Sequence, residues 1–190
     1  MKKTITSVLY LGDTSLDTAA SYLAGVMTHF NIGFDYAGSD EPADRFLVDE
    51  AEYRLIVLSD YPAQNLETSQ MEQIIALVCR GTGLLMIGGY NRVGAKAGAR
   101  VILEAIRYRT RAEASSCLFT EEGRDVLLAV GGYGGGRTAA FTSDAAPHWI
   151  GGFVDWGDER VSCKIAGAEV EVGAFYAAFF NNLIRWTAGL

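Results

Sequence analysis

The stretch Gly83-Leu84-Leu85-Met86-Ile87-Gly88-Gly89-Tyr90-Asn91 constrains this chain more than any other. Its apolar run, residues 84–87, is too short for a helix and is bounded by glycines. That is the signature of a strand buried on both faces of a parallel sheet. The backbone must then turn sharply through Gly88 and Gly89. Ligands of open α/β sheets bind just beyond the carboxyl ends of such strands. A working site is therefore expected at residues 88–94.

The rest of the chain supplies neighbours for that strand. Residues 4–12 and 54–60 are apolar, β-branched runs, the second ending in Ser59-Asp60 before Tyr61-Pro62 breaks it. A short strand is expected at residues 34–37. Leu16, Ala20, Leu23, Met27 and Phe30 recur at helical spacing and predict a helix over 16–31, stopped by Gly33. Ser69-Gln70-Met71-Glu72 reads as a capping box opening a helix that stops at Gly81. Val101, Ile102, Ala105 and Ile106 predict another helix over 97–109. This β-α-β-β-α-β-α order implies an α/β fold, a mostly parallel sheet with helices on both faces. Two strands, 125–130 and 137–142, then flank Gly131-Gly132-Tyr133-Gly134-Gly135-Gly136. They predict an antiparallel hairpin late in the chain, with the glycines as its mobile tip. Residues 161–170 admit a short strand pair or a flap, and a helix is expected over 172–187.

Composition removes several classes of function. At 190 residues the chain is read as one domain over 1–190. A net charge of −7 argues against a nucleic-acid partner, which needs a basic surface. No apolar run reaches the roughly 20 residues of a membrane span. Lys2-Lys3 mimics the start of a signal peptide, but the following apolar run soon meets Asp13 and Asp17, so a cytoplasmic protein is expected. Cys79, Cys117 and Cys163 form no metal or disulfide pattern.

Strand direction gathers the candidate residues. Asp13, Asp60, residues 88–91 and residues 143–148 each follow the carboxyl end of an expected strand, so they are expected on one rim. His148, in Ser143-Asp144-Ala145-Ala146-Pro147-His148-Trp149, is placed as a general base or acid beside Asp144. The alternative is a histidine that only pins the loop. Asp60 and Asp13 divide between turn capping and ligand contact. Gly88 and Gly89 offer backbone N–H groups to an anion, with a plain tight turn as the alternative. Trp149 and Trp156 are candidates for walling a pocket, with simple lid packing as the alternative and the expectation for Trp156. The glycine run 131–136 lacks the strand–loop–helix setting and the Lys-Ser/Thr of a phosphate loop.

Residues 84–91, the block Gly134–Thr142 with Ser143–Trp149 after it, and the closing Asn181-Asn182-Leu183-Ile184-Arg185-Trp186 resemble the glutamine amidotransferase-like proteins. These belong to the class I amidotransferase-like superfamily, near the trehalose-utilisation-type proteins. The resemblance spans most of the chain in order. It implies a flavodoxin-like three-layer α/β/α sandwich with the site at the strand-to-helix elbow. Tyr90 occupies the position that matches the family's nucleophilic cysteine, His148 that of its partner histidine, and Ile150 that of the glutamate. A phenol is a poor replacement for a thiolate, so cysteine-dependent glutaminase chemistry is not expected.

The expected site therefore comprises Tyr90, Asp144 and His148 as catalytic candidates, with Asp60, Gly88, Gly89, Asn91 and Trp149 as ligand contacts. The ligand is a small polar molecule, a sugar or a carboxylate. No cofactor and no metal are expected. One rival is a hydrolase-type enzyme with His148 as base, with a variant in which Asp13, Asp60 and His148 hold a divalent cation. Another is a non-catalytic homo-oligomeric module assembled through Phe175, Tyr176, Phe179, Phe180 and Trp186 of the final helix.

Overall fold

The computed structural model describes residues 6–47, 53–88, 98–113 and 116–190. For Thr6, residues 110–113 and 116–118, His148 and Trp149 it describes the backbone alone. In chain order the elements are β1 (Thr6–Gly12), α1 (Ser21–His29), β2 (Gly33–Ala37), β3 (Leu55–Ser59), α2 (Thr68–Arg80), β4 (Gly83–Ile87), β5 (Arg100–Glu113), β6 (Ser116–Tyr133), β7 (Gly136–Phe141), α3 (Pro147–Ile150), β8 (Arg160–Ile165), β9 (Ala168–Gly173) and α4 (Ala174–Ala188).

Seven strands form one sheet in the order β2-β1-β3-β4-β7-β6-β5, and β8 and β9 pair separately. The first five are parallel neighbours. β6 runs antiparallel to β7, and β5 antiparallel to β6. The fold is thus a layered α/β sandwich on a mostly parallel sheet.

The apolar runs are buried for the reason parallel strands require, because helices lie on both faces. One face carries Val8, Tyr10, Leu55, Val57, Leu85 and Ile87, packed under α1 (Leu23, Met27) and α4 (Tyr176, Phe180, Ile184). The other carries Leu9, Leu11 and Ile56 under Ile74, Leu77 and Val78 of α2. Tyr176 and Phe180 are wholly buried. Phe179 joins Phe141, Phe153 and Trp156 in an aromatic cluster. Tyr176, Phe179 and Phe180 therefore belong to the core, and Phe175 and Trp186 of α4 are left exposed.

Four expectations need correction. The helix expected over 97–109 is the strand β5. A bulge at Ile102 shifts its register against β6, which breaks the two-residue alternation and mimics helical spacing. The capping box lies two residues earlier than expected. Gln70 Oε1 accepts the Glu67 N–H, and the Glu67 side chain accepts from the Gln70 backbone. The first helix is the shorter α1, preceded by turns. The glycine hairpin tip is tied down, because Gly135 N–H donates to Cys79 O at 2.8 Å.

Candidate functional site

The carboxyl ends of β1, β3, β4 and β7 form one rim, and backbone hydrogen bonds stitch it together. Asp13 N–H donates to Ser59 O (2.9 Å), Ser39 N–H to Asp13 O (2.8 Å) and Asp60 N–H to Ile87 O (3.3 Å). Gly88 N–H is shared between Phe141 O (3.1 Å) and Ser143 O (3.0 Å). Each loop is thus positioned by its neighbour rather than by its own sequence.

This rim gathers three carboxylates. One oxygen each of Asp13, Asp60 and Asp144 lies within 4.8 Å of the others. Asp13 and Asp144 are buried, and Asp60 faces solvent. Asp13 and Asp60 both adopt positive φ, 53° and 44°, a conformation Asp tolerates better than most residues and one often found at functional sites. Two glycines make the crowding feasible. At Gly12 (φ 128°) a Cβ would lie 1.6 Å from Ser59 O, and at Gly88 (φ 86°) one would lie 2.2 Å from Asp60 Oδ1.

Electrostatics follow from this packing. Burial pushes the Asp13 carboxyl up to about 6. The Tyr10 and Ser59 hydroxyls pull it down, and the neighbouring Asp144 and Asp60 charges push it further up. The Tyr10 hydroxyl donates to Asp13 Oδ2. Burial, then the Asp13 charge, raises the Tyr10 phenol well above its ordinary value, so it stays a donor. Asp144 Oδ1 accepts the Ala146 N–H at 3.0 Å, fixing the loop that leads into α3. Tyr176 of α4 donates to Ala145 O and ties the same loop to the core.

A shallow hollow of about 530 Å³ lies on the loops that follow β1 and β7, lined by Thr14, Thr18, Ala19, Tyr22, Ala146 and Pro147 and by none of the three carboxylates. Thr14 follows Asp13 directly, and Ala146 is the residue held by Asp144. The hollow thus offers two hydroxyls and one ring on the loops that carry Asp13 and Asp144.

Of the residues expected in the site, Asp60, Gly88 and Asp144 come together. The backbone of His148 and Trp149 lies in α3, just beyond Ala146. Gly89, Tyr90 and Asn91 fall outside the described residues. The Gly88 N–H does not serve an anion, since two carbonyls already accept it and the Asp60 carboxylate lies over it. Asp13, weighed in the sequence chiefly as a turn residue, is a full member of the cluster. Its signal was its place directly after a strand. Cys79 sits at the end of α2, by the hairpin tip at the opposite edge of the sheet. Cys163 is buried in β8 against Gly25 of α1.

No family model matches the chain, and no curated protein matches it. Solved structures do. A cytoplasmic protein of Salmonella typhimurium, STM3548, superposes with a TM-score of 0.57 at 18% identity, covering 95% of this chain and 98% of its own. A second, STM1381 of Salmonella typhimurium LT2, gives 0.58 at 20% identity, covering 96% and 99%. At such identity the likeness is one of fold, extending over nearly the full length of each chain.

Proposed function

We propose that this chain binds a small neutral polyhydroxy molecule, of the sugar class, at the carboxyl edge of the sheet. In this reading it is an amidotransferase-like protein without cysteine-dependent glutaminase activity. The observation that carries the reading is the convergence of Asp13, Asp60 and Asp144 at one rim, on the same loops that line the hollow at Thr14, Thr18 and Tyr22. Carboxylates accept paired hydrogen bonds from neighbouring hydroxyls, and an aromatic ring offers a face to a sugar's C–H surface. A carboxylate ligand would meet three like charges. Of the two ligand classes read from sequence, the sugar is therefore the one favoured. The reading includes a cytoplasmic setting, supported by the description of the two Salmonella proteins. No described helix is long and apolar enough to cross a membrane.

The same cluster favours one second reading, a divalent cation, since oxygen-only ligand sets suit hard cations. Calorimetric titration distinguishes the two. Neutral monosaccharides and disaccharides, dicarboxylates, Mg²⁺ and Ca²⁺ are each added alone to wild type and to Asp60→Asn, a substitution that keeps the volume and tolerates the positive φ. The expected result is binding of a neutral sugar, weakened at least about tenfold in the variant, the cost of one good hydrogen bond to a charge. Dicarboxylate binding tighter than any sugar, or sugar binding indifferent to Asp60→Asn, overturns the reading. Saturable binding of a cation alone, lost in the variant, transfers the site to a metal.

A further inference from the structure

The sheet order sets β1 between β2 and β3. The chain leaving β2 nevertheless reaches past the end of β1 to the end of β3, and Ser39 makes the crossing. Its N–H donates to Asp13 O at 2.8 Å, and its hydroxyl donates to Asp60 O at 3.3 Å. One residue thus bonds to both of the aspartates that hold positive φ. The approach is close. At the buried Gly38 a Cβ would lie 2.8 Å from Thr14 O.

The crossing segment is itself anchored. Asn65 Nδ2 donates to Ser39 O (2.5 Å), the Tyr61 hydroxyl to Glu41 O (2.6 Å) and Gln70 Nε2 to Asp44 Oδ1 (2.6 Å). All three donors follow β3 in the chain. Asp13 O also accepts the Tyr36 hydroxyl, at 3.3 Å, so the end of β2 grips the Asp13 turn twice.

These bonds meet a specific need. Left-handed backbone is unfavourable for a residue with a side chain, and it persists where the surroundings over-determine it. Each aspartate is held at both ends of its own backbone. Asp13 N–H is fixed by Ser59 O and Asp60 N–H by Ile87 O, while Ser39 holds both carbonyls. With both ends held, the direction of each Cα–Cβ bond is set, and with it the reach of each carboxylate.

We infer that Ser39 is a positioning residue of the rim, fixing Asp13 and Asp60 relative to each other so that their carboxylates engage one ligand. That the ligand is a sugar rests on the reading above; the mutual placing of the two carboxylates does not. Ser39 acts through backbone carbonyls and needs no contact with the ligand. Of its two bonds, only the one to Asp60 O uses the side chain. Ser39→Ala therefore releases Asp60 while Asp13 keeps its N–H donor, and Ser39→Thr retains a hydroxyl.

Two measurements test this, with Ser162→Ala as the reference. Ser162 is also a hydroxyl donor, to Glu169 Oε1 at 2.6 Å, but lies in β8, outside the rim. Calorimetric titration with neutral monosaccharides and disaccharides should give a dissociation constant raised about three- to tenfold in Ser39→Ala, the loss of one hydrogen bond. Ser39→Thr and Ser162→Ala should stay near wild type. Carboxyl ¹³C NMR titration of Asp13 needs no ligand. Adding Asp60→Asn should shift the Asp13 midpoint in the Ser39→Thr background, and at most about half as far in the Ser39→Ala background. A wild type that binds no sugar overturns the sugar reading alone, and the NMR comparison still decides this one. Equal Asp13 shifts in Ser39→Ala and Ser39→Thr overturn the inference. So does a Ser39→Ala that binds sugar as wild type does, or an equal loss of affinity in Ser162→Ala.

Discussion

Asp13 concentrates the tensions of the rim in one residue. It holds positive φ, its carboxyl is buried, and two other carboxylates stand within 4.8 Å. Its pKa rises from 3.8 to about 6, so the native state binds its proton more tightly than the unfolded chain does. The sign follows from linkage: this group's contribution to stability is fully present below about pH 4 and is lost as pH rises to about 6. A gap of about two pH units corresponds to about 3 kcal/mol. Asp13→Asn removes the titration, so urea unfolding between pH 4 and pH 7 should show wild type losing up to about 3 kcal/mol relative to the variant. Parallel stability curves would refute that assignment. Gly88 gives a second prediction at this scale. A Cβ there would overlap Asp60 Oδ1 at 2.2 Å with φ at 86°. Gly88→Ala should cost at least about 1 kcal/mol from the backbone alone and displace Asp60, read together as a lower Tm and weakened ligand binding.

Among the elements, α4 does more than fill the core. Tyr176 reaches from its buried face to Ala145 O and so holds the loop that presents Asp144. Tyr176→Phe keeps the ring and leaves a buried carbonyl without its donor, at a cost of about 1–3 kcal/mol. Hydrogen exchange should then quicken over residues 143–147 more than over α4 itself. Uniform quickening would mean that the bond serves the core alone. Elements also mark where the sequence could be read and where it could not. Residues 84–87 and 55–58 announce strands because a buried parallel strand needs an unbroken apolar run. β5 misleads because its bulge at Ile102 sets Val101, Ile102, Ala105 and Ile106 at helix-like intervals, although Val101, Ile102 and Ile106 are all β-branched and favour a strand. The rim was legible from strand direction, which puts Asp13, Asp60 and Asp144 at one edge. Their mutual distance was not, because it is set by hydrogen bonds between loops far apart in the chain, such as Gly88 N–H to Ser143 O.

For the whole molecule, the sheet acts as an aligning frame. Five parallel strands point one way, so loops from residues 12–13, 59–60 and 143–144 meet although the chain separates them widely. The central claim is that the three carboxylates share one electrostatic environment at the rim. Carboxyl ¹³C NMR titration of Asp13 in wild type, Asp144→Asn and Asp60→Asn measures this directly. The account predicts a wild-type midpoint near 6 that falls in both variants, further in Asp144→Asn. An ordinary carboxylate midpoint in wild type, or one that neither substitution moves, contradicts it.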